Sequence, residues 1–281
     1  MTMTNTTKLN NGVFLWLFSL LFALFTHSSF AADTKDWLSS KETNMAVIDH
    51  QLWQTLLDKY LISNDPSGVN LFHYKKVSSK DKVTLEKYLT SLQTKDPRAY
   101  NKGVQKAYWI NLYNALTVQL ILDNYPVKSI TKLGKKFFSF GPWDDDAAVV
   151  SGSALSLNDI EHKILRPIFK DPRIHYAVNC ASYSCPNLSD KAYTVANTDR
   201  LLTNGAHDYI NHHRAVKING NELLLSSIYD WYLVDFGDSS VSLLKHLKNY
   251  AKDELKKKLI TFDVNMGDIN YHYDWQLNDV K

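Results

Sequence analysis

Cysteine is scarce in this chain: there are two, Cys180 and Cys185, in 281 residues. That excludes a multi-bridge disulfide scaffold and leaves stability to an apolar core, for which 7 Trp, 16 Tyr and 12 Phe supply material. Apolar runs long enough to cross a bilayer are missing as well. The stretch Val13 to Phe25 measures about 20 Å as a helix, against a hydrocarbon core of about 30 Å. No internal repeat, low-complexity tract or Pro/Gly-rich linker divides the chain. Charge of one sign is also lacking: a formal +3 points to no nucleic-acid partner. Gly-x-Ser-x-Gly, a phosphate-cradling glycine loop, Cys-x-x-Cys and His-x-x-x-His do not occur, so the usual serine-hydrolase, nucleotide-binding and zinc patterns find no support.

What is present begins with Lys8, the apolar run to Phe25, and then Ser28, Ser29, Phe30 and Ala31. A short apolar stretch followed by small residues predicts a removable signal peptide over 1–31, cut after Ala31. The remaining chain, Ala32 to Lys281, is then a soluble single globular domain, exported to the periplasm or secreted, with no transmembrane segment. Its formal charge drops to +2 with the loss of Lys8. No cofactor is indicated, and no partner can be named.

The patterning predicts a predominantly helical α+β domain with a few short strands. Helices are expected near 47–61, 83–92, 98–124, 198–212 and 241–258, the last broken near Asp253. Ser156 and Asp159 form a capping-box-like start to a helix ending at Pro167. Strands are expected over 69–77, 173–180 and 271–275. Asn219-Gly220 predicts a type I′ hairpin near 215–226.

Two places could carry chemistry. Asn111 and Asn114 are three apart on an apolar helix, so they share a face and need partners. They either tie the helix to a neighbouring loop or present an amide to a cleft. The second place is His175 to Leu188. In an oxidising compartment Cys180 and Cys185 are expected to pair, closing a small loop. Alternatively one is a thiolate nucleophile. Cys185, ahead of Pro186, suits a helix N-cap where the dipole lowers a thiol pKa. His175 is the natural base, although strand alternation would put it on the opposite face from Cys180. Glu161, His162 and His175 form an alternative metal set, and Asp144 to Asp146 a candidate calcium loop.

Four ordered segments resemble the family called domain of unknown function 547. They are Tyr108-Trp-Ile-Asn-Leu-Tyr-Asn-Ala115, Leu155 to His162, Asp171 to Cys180 with Ser184-Cys-Pro186, and Tyr273-Asp-Trp-Gln-Leu-Asn278. Ala181 stands where the family often has glycine. The resemblance supplies no reaction, but it marks Asn111, Asn114, Glu161, His162, His175, Cys180 and Cys185 as the candidate set. Two functions fit those residue types. One is a thiol-dependent hydrolase or acyl transferase, with cysteine as nucleophile, His175 as base and an asparagine as the orienting or oxyanion group. The other is a non-catalytic binding or envelope protein with a structural Cys180–Cys185 disulfide.

Overall fold

The computed structural model describes residues 33–134 and 140–280; the expected signal peptide lies outside them. Helix α3 (Lys102–Asp123) is the centre, and its composition explains why. Almost every residue from Val104 to Val118 is buried, and a helix apolar on all sides can only sit inside. Helices α1 (Gln51–Tyr60) and α2 (Ser79–Gln93) bring narrower apolar faces to the same bundle: α1 packs on α2, and α2 on α3. Tyr108 donates its hydroxyl hydrogen to the Leu92 carbonyl at the end of α2 (3.0 Å). Asn101 caps α3 by accepting from the Val104 N–H (3.0 Å), so the helix starts later than the pattern predicts. A separate 3-10 turn, Pro97–Ala99, precedes it.

Strands β1 (Leu61–Ile62) and β2 (Leu71–Phe72) form a minimal antiparallel pair. The strand expected over 69–77 ends after Phe72 because a 3-10 turn, Tyr74–Lys76, follows. A hairpin absent from the sequence expectations, β3 (Asp146–Val150) with β4 (Ser153–Ser156), turns through Ser151-Gly152. Next, the Ser156 hydroxyl accepts from the Asp159 N–H (3.1 Å) while Asp159 accepts from the Ser156 N–H (2.9 Å), the reciprocal box. The segment Asp159–Leu165 is π-helical and continues into α4 (Arg166–Phe169). The chain therefore runs through Pro167 instead of ending there. The wider turn just before the proline takes up the space and the missing N–H that would break an α-helix.

A second group of elements follows: α5 (Thr198–Ile210), β5 (Val216–Asn219), β6 (Glu222–Ser226), α6 (Ile228–Trp231), α7 (Ser240–Tyr250), α8 (Asp253–Thr261) and β7 (Asp268–His272). Asn219 pairs with Glu222, so the turn residues are Gly220 and Asn221. Gly220 has φ +57°, and Asn221 is not left-handed. Glycine at the first central position is the pattern of a type II′ turn, one residue on from the predicted I′. Strand β7 adds parallel to β6. The result is an α+β fold dominated by helix, with two apolar clusters. One is built on α1 to α3, and the other is enclosed by α5, the three-stranded sheet and α7. No helix among the described residues is long and apolar enough to cross a membrane.

Candidate functional site

The segment joining the two clusters is 171–188, and it is not the predicted strand. Asp171 accepts from the Arg173 N–H (3.1 Å) and clasps the Arg173 guanidinium (3.0 and 2.9 Å), which winds Pro172–Tyr176 into a 3-10 turn. Arg173 also reaches Thr203 (2.8 Å) on α5. The strand-alternation constraint on His175 therefore disappears. Ile174 and Ala177 enter the first cluster and Tyr176 the second, so His175 sits at the seam.

Both asparagines of α3 are consumed in holding this region. Asn111, fully buried at 0 % exposure, donates to the Tyr193 carbonyl (2.7 Å) and accepts from the Tyr193 N–H (2.9 Å). Asn114 donates to the Ala177 carbonyl (2.9 Å) and accepts from the Asn179 N–H (2.8 Å). Neither borders the cavity described below. They stand behind the cysteine loop, so the cleft-facing role does not fit their placement.

Asn179 then staples the loop, donating to Pro186 (2.7 Å) and accepting from the Ala181 N–H (2.9 Å). Ala181 has φ +57°, the left-handed region that glycine enters most readily. The C-terminal segment lies alongside. Tyr183 N–H donates to the Gln276 carbonyl (2.7 Å), Ser184 N–H to Asp274 (3.1 Å), and Ser182 bridges to Leu277. This pairing brings Tyr273 and Trp275 beside the cysteines.

Cys180 and Cys185 are in contact, sulfur to sulfur, at 2.8 Å. Cys180 is half-buried, and its sulfur also lies 3.0 Å from the Ser182 hydroxyl and 3.1 Å from that of Tyr273. Burial opposes ionisation of Cys180, but hydrogen bonds from Cys185, Ser182 and Tyr273 outweigh it and leave the thiol below its ordinary range. Cys185 is 4 % exposed, and burial pushes its thiol well up. No helix follows Pro186, so the expected N-cap and its dipole are absent at Cys185.

His175 Nε2 hydrogen-bonds Asp235 Oδ2 (2.6 Å), and its ring stacks on Tyr232 (4.3 Å, 14°). Burial raises the Asp235 carboxyl, but hydrogen bonds from His175 and Arg166 pull it down to about 2, so it accepts and Nε2 carries the hydrogen. Nδ1 faces Glu161 Oε1 at 3.7 Å. His162 turns away: its Nδ1 accepts from Arg166 (3.0 Å), which occupies the lone pair a metal would need. Among the described residues no group of three or more His, Cys, Asp or Glu is placed to hold a metal ion. Asp144 accepts from Asn158 (2.7 Å), and Asp146 begins β3, which disperses the proposed calcium loop.

His175, Cys180, Cys185 and Glu161 border one cavity of about 300 Å³, walled by Tyr113, Trp143, Trp231, Tyr232, Tyr273 and Trp275. Residues 97–210 match the DUF547 family model, described as a protein of unknown function. No curated protein and no solved structure matches the chain. Three of the four resembling segments fall within the DUF547 match, which includes His175 and both cysteines; the fourth, at Tyr273, lies beyond it. Asp235, Trp231 and Tyr232, which also come from beyond the DUF547 match, carry no signal of a site in the sequence, where Trp231 and Tyr232 read only as part of a helical stretch after Ser226 or Ser227. Each sits in a short turn whose position depends on how the second cluster packs.

Proposed function

We propose that the cavity carries out thiol-dependent acyl chemistry, as a hydrolase or acyl transferase, with Cys180 as the nucleophile. One observation carries this reading: the Cys180 thiol, drawn below its ordinary pKa by three neighbours, opens on the same cavity as the Asp235-oriented His175. Cys180 rather than Cys185 is chosen because the latter is buried with a raised pKa. The thiol proton passes through cavity water to His175 Nδ1, and Sγ bonds to the acyl carbon. The leaving group departs with the proton from His175. Water or a second nucleophile then attacks the thioester, returning its proton to His175 and releasing Sγ. Asn111 and Asn114 take no part. The apolar run before Ala32 supports an exported, periplasmic or secreted setting for this chemistry.

The test is to reduce the protein mildly and to treat separate samples at neutral pH with iodoacetamide and with p-nitrophenyl acetate. Cys180 is expected to alkylate faster than free cysteine and to carry the acyl group, with turnover lost in His175→Ala. Alkylation no faster than free cysteine, with no adduct on Cys180, defeats the proposal. The sulfur contact of 2.8 Å favours a second reading, a Cys180–Cys185 disulfide in a non-catalytic binding or envelope protein. Unreduced protein would then be two hydrogens lighter, and reduction would release no activity.

A further inference from the structure

The lining of the cavity also has a recognition chemistry of its own. Trp231 stacks on Trp275 (5.6 Å, 24°), and Tyr273 leans on both rings (4.9 and 4.5 Å), making one continuous aromatic wall. Trp231 remains 45 % exposed, a large indole left open at the cavity edge. Opposite in character is Glu161, whose side chain is 8 % exposed and borders the same space. Its carboxylate makes no hydrogen bond among the described residues, and its one contact at ion-pair distance is the His175 ring at 3.7 Å. The His175 imidazole is already matched by Asp235. Among the described residues no lysine or arginine lines the cavity.

A buried carboxylate without a donor is unfavourable, and aromatic faces present negative charge density. A cation answers both. A neutral sugar would stack on the wall as well, but it needs several polar partners. Here the Asn158 amide is already held by Asp144, and the Tyr273 hydroxyl by Cys180 and Ser182. We infer that the cavity binds an organic ammonium group, its charge against Glu161 and its alkyl face on the Trp231–Trp275 wall. This does not depend on Cys180 being reactive. If both hold, an amine is the natural second substrate or the selected part of the acyl donor.

The experiment is a tryptophan-fluorescence titration of the reduced full chain and of Cys180→Ser with choline and with its uncharged isostere, dimethylbutanol. Choline should quench saturably in both proteins and bind about ten-fold tighter than the isostere. Glu161→Gln should remove that preference, while Trp231→Ala, at an exposed position, should weaken choline with the fold intact by circular dichroism. Equal binding of the two ligands, absence of saturable choline binding, or binding of methyl glucoside in its place overturns the inference. Choline binding with an inert Cys180 retires the acyl proposal alone. A reactive Cys180 without choline preference retires the ammonium proposal alone.

Discussion

Replacing Asn111 by leucine separates a structural amide from a catalytic one. Leucine keeps asparagine's branching and heavy-atom count and is bulkier, so the change opens no cavity and deletes two hydrogen bonds. The Tyr193 N–H and carbonyl, both bonded to Asn111 at below 3 Å, are left inside the protein without partners. Each orphaned group costs about 1–3 kcal/mol, and the leucine recovers up to about 2 kcal/mol through apolar burial. The expected net loss is about 3 kcal/mol, a large share of the roughly 5–15 kcal/mol that holds a domain together. With a urea m-value of about 3 kcal/mol/M the midpoint falls by about 1 M. Equilibrium urea unfolding followed by circular dichroism reads this directly, and Cys180 alkylation of the folded variant should keep the wild-type rate. A midpoint shift below about 0.3 M refutes the hydrogen-bond argument. Unchanged stability with abolished thiol reactivity would instead return Asn111 to the cavity.

Acid should destabilise the fold through two histidines, His50 buried and His246 half-buried. Burial lowers both His50 and His246 to about 4 from an unfolded value of 6.5. The unfolded chain therefore binds more protons between pH 6.5 and 4, and stability falls as pH drops through that window, by a few kcal/mol for the pair. Urea midpoints at pH 7 and pH 4.5 measure it, and His50→Phe, which removes one titrating ring, should flatten the slope. A midpoint that does not change over this range contradicts the assignment. Gly205→Ala on α5 would set a Cβ 2.9 Å from the Tyr176 carbonyl oxygen, a backbone atom beside His175. A loss of about 1–3 kcal/mol in the same unfolding assay is expected, and a variant more stable than wild type would contradict the packing of α5 on this turn.

The local physics was readable along the chain. The apolar density of 104–118 dictates a buried central helix, Ser156 and Asp159 form their box, and the tandem glycine–asparagine pattern near 219–221 makes a hairpin. These depend on periodicity and on hydrogen bonds between residues three apart, which are local. The turn at 172–176 was missed because its cause is a side-chain clasp, Asp171 on Arg173, that outcompetes the strand propensity of Ile-His-Tyr-Ala-Val. Only tertiary structure decided the site. Residue types alone could not say whether Asn111 and Asn114 face a cleft or a loop. That followed from which backbone groups came to lie over α3. The partners of His175 and Cys180, namely Asp235 and Tyr273, stand 60 and 93 residues away in sequence. Tyr273 arrives because β7 pairs with β6 and the C-terminal segment zips along the cysteine loop, and Asp235 because the 3-10 turn that carries it packs against α6 and α7, contacts that no short stretch of sequence encodes.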